Sequence, residues 1–357
     1  MAAWAEEAWT RLAALPLQVD EVSLSFPSIT VRSGWERVTT VIALHGAGEE
    51  GLGEDVTYEA EEHRAVEAAG APLDATGQWT LGSFCERVAA TDLFPSGAPD
   101  HDVSRNYRRW AWESAALDLA LRQAGTDLGA VLGLETQPVS FVASTRLGEP
   151  SAVSALDDHL AAVPDLRFKL DAAEDWDEAF LTDLAALDRT DCIDLKAFYT
   201  GTVVDVSITP EQTLAIANAI PDCTLEDVAP GLATELIAAE YPDRLSWDAP
   251  ILSVADLEAL PIAPSRMNVK PSRIGSIAEL LAVHGWLRDR DVASYGGGQF
   301  ELSVGRGQII LLASLLHPST PNDVAPVEYH AFQPGGTLPA SPLTPAGAVR
   351  GFRWPGH

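Results

Sequence analysis

The sequence predicts an α/β protein: a modified (β/α) barrel of the TIM type with an N-terminal α+β capping domain, completed by the C-terminal tail. Three observations predict it. From about Gln137, short apolar runs of strand length alternate with helical stretches every 20 residues or so, roughly 20 to 30, which is the rhythm of a parallel βα array. The residues before them read as a small antiparallel sheet followed by helices. The last stretch, "FQPGGTLPASPLTPAGAVRGFRWPGH", is rich in Pro and Gly and reads as an extended tail. The expected division is a capping domain over 1–135, a barrel over 136–330 and a tail over 331–357 that packs back on the cap.

In chain order, "MAAWAEEAWTRLAALPLQ" lacks a basic n-region and reads as a short acidic helix rather than a secretory signal. "EVSLSFPSITVRSGWERVTTVIALHG" alternates and is rich in Val, Ile, Ser and Thr, so antiparallel strands with a turn near Ser33-Gly34 are expected. The glycine-rich "GAGEEGLGEDVTY" fits either a hairpin connection or a loop closing over a site. No strand-to-helix turn of the required spacing surrounds it, so it is not a dinucleotide fingerprint. "NYRRWAWESAALDLALRQAG" spaces Ala and Leu as a helix does, with Gly125 as its stop. The strand runs that follow are "PVSFVAS", "DLRFKL", "CIDLKAF", "CTLEDV", "RLSWDAP", "RMNVKPS" and "VASYGG". Helical stretches such as "WDEAFLTDLAALD", "PEQTLAIANAI" and "SIAELLAVHGWLRD" separate them. About seven or eight such units over roughly 190 residues favour a closed barrel over an open sheet.

Composition narrows the function classes. A net charge of −29 over 357 residues argues against nucleic-acid and anionic-membrane partners, whose phosphates such a surface repels. Cys85, Cys192 and Cys223 stand singly with no CxxC spacing, which fits a reducing cytoplasm and no zinc site. No apolar run approaches the roughly 18 to 20 residues that span a bilayer. The expectation is a cytoplasmic protein acting on a small molecule.

The lysines carry the chemical signal. The chain has three, Lys169, Lys196 and Lys270, among 23 basic residues. Arginine stays protonated at any working pH, whereas a lysine can serve as a base when burial or a neighbouring cation lowers its pKa. All three stand at or near the carboxyl ends of strand runs, where a βα barrel places its site. The same ends carry Asp194, Glu226 with Asp227, and Asp248. Carboxylates from three successive strands can converge on one hard cation such as Mg²⁺. Residues two apart on a strand point the same way, so Arg167 is expected to share a face with Lys169, and Asp194 with Lys196.

"RFKLD", "IDLKAFYTG", "TLEDVAP", "RLSWDAP", "NVKPSRIGS" and "GGGQFE" follow one another as the barrel motifs of the enolase superfamily do. The chain resembles the muconate-lactonizing and o-succinylbenzoate-synthase-like branch most. That resemblance implies Asp194, Glu226 and Asp248 as Mg²⁺ ligands, and Lys169 and Lys270 as acid/base groups on opposite faces of a carboxylate substrate. Abstraction of the α-proton then gives an enediolate, leading to dehydration, epimerisation or cycloisomerisation. Arg167 and Lys196 join the catalytic candidates, and Glu301, Glu49 and Ser272 are candidates for substrate binding. The family's cap loop corresponds to Gly46–Glu54, and its members often form dimers or larger rings, so self-association is expected. Two departures stand out. Arg167 replaces the first lysine of the family's Lys-x-Lys pair, and Lys196 stands where Asn is usual. The run "VASYGGG" has Tyr295 and no His, unlike the mandelate-racemase branch.

There is no GxSxG, HExxH or GxxxxGK[ST] pattern. His45, His284 and His317 read as packed or surface residues. Two other classes draw on the same side chains: a catalytically silent paralogue that keeps the metal as a binding module, and a Schiff-base aldolase using one of the lysines.

Overall fold

The computed structural model describes residues 3–31, 34–202 and 205–356. The cap is built from α1 (Ala3–Ala13), β1 (Pro16–Val19), β2 (Glu21–Ser25), β3 (Ser28–Thr30), β4 (Glu36–Val38), β5 (Thr40–Gly46) and β6 (Glu49–Asp55). It continues through α2 (Ala60–Ala69), β7 (Gly77–Thr80), α3 (Leu81–Ala89), α4 (Ser104–Gln123) and α5 (Leu128–Leu132). Strands β2, β5 and β6 form an antiparallel sheet, while β1 pairs with β7 and β3 with β4. Of the expected turn, Gly34 is described, at φ +84°, and Ser33 lies outside the described residues.

The glycine-rich stretch is not a loop over the site. Gly46 to Glu54 lie almost wholly in the β5–β6 hairpin, which turns at Ala47-Gly48. Its glycines serve packing. A Cβ on Gly53 would sit 2.0 Å from the Ala111 carbonyl oxygen, and one on Gly51 2.3 Å from that of Ala115. The bare strand lets the backbone of α4 lie directly on it.

Helix α4 is buried almost continuously from Tyr107 to Leu121 because cap, barrel and tail all pack on it. Glu113 accepts from Ile277 N in the barrel at 2.9 Å. Asp118 accepts from Leu52 N at 3.0 Å, from Phe352 N at 2.8 Å and from Arg353 Nε at 2.6 Å. Phe352 and Arg353 of the tail thus lie on α4, with Phe352 buried against Trp110.

The barrel begins with β8 (Ala143–Thr145), α6 (Asp157–Ala162), β9 (Phe168–Asp171), α7 (Glu178–Leu187), β10 (Thr190–Asp194) and α8 (Pro210–Ala219). There follow β11 (Thr224–Glu226), α9 (Leu232–Glu240), β12 (Leu245–Trp247), α10 (Val254–Ala259) and β13 (Arg266–Val269). It ends with α11 (Pro271–Ile274), α12 (Ile277–Asp289), β14 (Ala293–Gly296) and α13 (Val304–Leu316). The seven strands β8 to β14 are parallel and lie side by side in sequence order. The gap between the two edges is bridged at Phe141–Asn322 and Gly297–Asp323. Glu301 lies in the loop after β14 rather than in a strand, and Asn322-Asp323 take the closing position.

Outward-facing Leu170, Ile193, Leu225 and Trp247 are buried in the apolar core cluster, while Cys192 and Asp194 alternate onto the opposite face. Among the described residues no helix is long and apolar enough to cross a membrane. His284 and His317 are buried with their rings stacked 5.8 Å apart, and His45 lies half exposed on the cap, as their sequence setting suggested.

Candidate metal centre and active site

Neighbouring parallel strands in register bring matching positions to one height, and Asp194 pairs with Glu226 across β10 and β11. Asp248 follows β12 directly. Its position is set by Asp227, whose carboxylate accepts from Asp248 N at 2.8 Å and from Ala249 N at 3.0 Å. Asp194, Glu226 and Asp248 each offer an oxygen, and these oxygens lie within 4.8 Å of one another, all buried.

Three carboxylates this close repel one another unless cations intervene. Lys169 Nζ contacts Glu226 and lies 3.3 Å from both Asp194 and Asp323. Lys196 Nζ is 2.6 Å from Asp194 and 3.1 Å from Asp171. Lys270 Nζ is 2.8 Å from Asp248, whose other oxygen is 3.4 Å from Arg273 Nε. Two amines thus flank the triad from β9 and the end of β10, and a third from the end of β13.

The electrostatics differ from the sequence expectation. Burial pulls each lysine down, but the carboxylates around it outweigh burial and hold Lys169, Lys196 and Lys270 above the ordinary lysine value. The carboxyls diverge. Burial, with the charges of Asp194 and Asp248, pushes Glu226 up to about 7 despite Lys169. Burial also opposes ionisation of Asp248, yet Arg273 and Lys270 bring it down to about 2. Asp194 is lowered because Lys196 and Lys169 overcome its burial.

The donor set fits a hard divalent cation: three buried carboxylate oxygens converge, and Asp248 Oδ1 has no hydrogen-bond donor among the described residues. Glu226 is further held by Asn268 Nδ2 at 3.1 Å and by the Tyr295 hydroxyl, which in turn accepts from Ser246 Oγ at 2.8 Å. Such outer contacts orient a ligand and tune its affinity.

Several candidates lie elsewhere. Arg167 stands one residue before β9, a strand step of roughly 6.6 Å below Lys169, at the amino end of the barrel. Its guanidinium pairs with Asp191 at 2.5 Å and is 38% exposed, whereas Lys169 is 1% exposed. Sharing a face does not mean sharing a height. Glu301 is committed to Gln299 N at 2.7 Å and Arg306 at 3.0 Å, so it shapes the loop after β14. Glu49 pairs with Arg350 of the tail, at the turn end of β6. Ser272 is buried in α11 beside Lys270.

Sequence reading missed Asp323, Arg273, Tyr199 and the role of Tyr295. Arg273 was in view within "NVKPSRIGS"; its Nη2 donates to Tyr199 Oη at 3.0 Å, and Tyr199 Oη donates to Asp248 at 3.4 Å. Asp323 carried no local signal, because it reaches Lys169 only through barrel closure.

Comparison with known proteins places this arrangement. Family profiles described as the N-terminal and C-terminal domains of a domain of unknown function, DUF8230, match residues 10–131 and 135–331. The chain belongs to the DUF8230 family. Its fold is that of solved enolase-superfamily structures, among them proteins of Enterococcus faecalis and Listeria innocua that superpose with TM-scores of 0.63 and 0.65 at 18% and 17% identity. It is 26% identical over 337 residues to an N-succinylamino acid racemase of Thermus thermophilus, covering 88% of this chain and 86% of that one. Over 59 residues, 16% of each chain, it is 34% identical to an o-succinylbenzoate synthase of Bacillus subtilis. A dipeptide epimerase of Methylococcus capsulatus, solved with a Mg ion, superposes with a TM-score of 0.68 at 17% identity, covering 89% of this chain and 92% of that one.

Proposed function

We propose that this DUF8230 protein is a Mg²⁺-dependent racemase or epimerase that removes and returns the proton next to a substrate carboxylate. The observation that carries the reading is the buried triad of Asp194, Glu226 and Asp248 with amines on two sides of it. Inversion at a carbon needs one group to take a proton from one face and another to deliver one to the opposite face. Lys270 serves the Asp248 side. Lys169 serves the Asp194 side, with Lys196 sharing Asp194 beside it. Racemase similarity along 88% of the chain supports this outcome over the others.

Asp194, Glu226 and Asp248 would hold the cation, and Asn268 and Tyr295 would orient Glu226. A bound Mg²⁺ supplies the positive charge that stabilises charge building on the substrate carboxylate. The chain's own residues do the rest. Arg273 and Tyr199 hold Asp248 in place. Lys169 and Lys270, buried among carboxylates, keep their protons until those carboxylates are neutralised, so base strength is coupled to occupancy of the triad.

Dehydration is the second reading, favoured by the local match to o-succinylbenzoate synthase. Proton exchange in D₂O with Mg²⁺, followed by NMR over N-acyl amino acids, dipeptides and succinylbenzoate precursors, tests both. Racemisation leaves a substrate of mixed configuration carrying deuterium at the α-carbon, whereas dehydration yields an alkene product. Exchange that persists in both Lys169→Ala and Lys270→Ala would remove the proposed bases.

A further inference from the structure

The cap carries an aromatic cluster that the site described above does not use. Trp35 and Tyr58 stack with ring centroids 6.0 Å apart, and the edge of Phe300 approaches Trp35 at 5.9 Å. Trp35 is 39% exposed and Tyr58 37%, so two large rings stay in water at the cap surface. The cluster adjoins the barrel mouth. Gly297, which opens the loop carrying Phe300, lies so near Lys270 that a Cβ on it would meet Lys270 Cε at 2.8 Å. Tyr58 also meets Tyr107 at 6.4 Å, and Tyr107 feels the charges of Arg273 and Lys270.

This arrangement is built. Arg37, fully buried, donates to Val56 O at 2.8 Å, Gln299 O at 3.0 Å and Phe300 O at 3.2 Å, and so ties the cap to the loop after β14. Phe300 holds φ +62°, a conformation that a phenylalanine adopts only when its surroundings impose it. Glu54 secures the same loop from the cap, accepting from Leu302 N at 2.6 Å and Gly305 N at 2.8 Å. Within the cluster, Tyr58 Oη donates to Gln299 Oε1 at 2.9 Å. The other end of that amide, Gln299 Nε2, is buried and has no acceptor among the described residues. A buried donor left without a partner is costly, so an acceptor there is favoured.

We propose that Trp35, Tyr58, Phe300 and the Gln299 amide form the subsite for the remote end of the substrate, and that this end is a flat, uncharged, conjugated group carrying a hydrogen-bond acceptor. Aryl-acyl groups have this chemistry. The rings offer stacking faces, and Gln299 Nε2 offers the hydrogen for a carbonyl oxygen. A cationic end is disfavoured because the Arg37 guanidinium already lies 4.7 Å from the Tyr58 centroid and 5.9 Å from that of Trp35. An anionic end is disfavoured because Glu54 and Glu301 surround that guanidinium. The inference rests on the reading that the triad and Lys270 grip the carboxylate end.

The test uses the full chain loaded with Mg²⁺ and two probes that share a carboxylate end, N-benzoylalanine and N-acetylalanine, with binding measured by calorimetry. Wild type is expected to bind the benzoyl probe about tenfold more tightly. Trp35→Ala and Tyr58→Ala, both at exposed positions that the fold tolerates, should bring that ratio to about threefold or less. Gln299→Leu should weaken both probes by roughly five- to tenfold. Lys270→Ala should leave the ratio intact even where proton exchange is lost. Equal affinities in wild type, no binding of the benzoyl probe, or a ratio retained in both aromatic variants overturns the proposal. A benzoyl preference in wild type that the aromatic variants lose, with no α-proton exchange from either probe in D₂O, supports the subsite and sinks the proposed reaction instead.

Discussion

Replacing Lys169 with methionine should separate a residue at the heart of the triad from its neighbour two positions earlier. Lys169 is 1% exposed and neutralises Glu226, Asp194 and Asp323 together. Lys169→Met keeps the apolar stem and removes the charge, leaving buried carboxylates without their counter-ion. Breaking such a buried pair costs about 3–5 kcal/mol. With an unfolding entropy of about 2.1 cal/mol/K per residue, that corresponds to a fall of roughly 4–7 °C in Tm for a chain of this length. Arg167→Met removes a half-exposed partner of Asp191 and should cost about 0–1 kcal/mol. Magnesium sharpens the contrast. A ligand at 100 times its Kd stabilises by about 2.7 kcal/mol, and it should stabilise Lys169→Met by more, since it relieves the repulsion that the lysine had relieved. Thermal denaturation of both variants and wild type, with and without millimolar Mg²⁺, reads all of this. Equal losses in the two variants, or a magnesium shift in Lys169→Met no larger than in wild type, would refute the reasoning.

Three other outcomes follow from the same structure. His284 is lowered to about 3, mainly by burial, and His317 to about 4 by burial against its Asn322 hydrogen bond, so both fold uncharged. The unfolded chain takes up their protons near pH 6.5 and the folded chain does not, so stability is full above that pH and falls as pH drops towards 4, by about 1.4 kcal/mol per unit per histidine; urea denaturation of His284→Phe at pH 7 and pH 5 should show a shallower fall than wild type, and an identical fall removes the claim. Gly53→Ala forces a methyl to within 2.0 Å of the Ala111 carbonyl oxygen and should destabilise by about 2–3 kcal/mol by chemical denaturation, whereas Gly48→Ala, with open space around it, should show only the smaller strain of its φ of +78°. Tyr295→Phe removes the hydroxyl that donates to Glu226 and should weaken Mg²⁺ binding roughly tenfold by calorimetry, with little change in fold; unchanged affinity would show that Tyr295 does not orient the ligand.

What the sequence determined by itself was the set of strand ends and their chemistry. A parallel array puts every carboxyl end at one mouth, so Asp194, Glu226 with Asp227, and Asp248 could be brought together on paper from the strand ends, and the resemblance to the enolase superfamily singled out Glu226. The scarcity of lysine singled out Lys169, Lys196 and Lys270, and all three lie against the triad. Tertiary structure decided what local pattern does not encode. Height along a strand separated Arg167 from Lys169 although alternation put them on one face. The glycines of the cap hairpin proved to be the seat of α4, because closeness of approach depends on a helix roughly 60 residues later in the chain. Glu301 went to Arg306, and Asp323 reached Lys169 once Asn322-Asp323 closed the barrel. Lys169 and Glu226 are 57 residues apart in sequence. The charge state of either is a property of the assembled site, since desolvation and the neighbouring charges that set it exist only after the strands have come together.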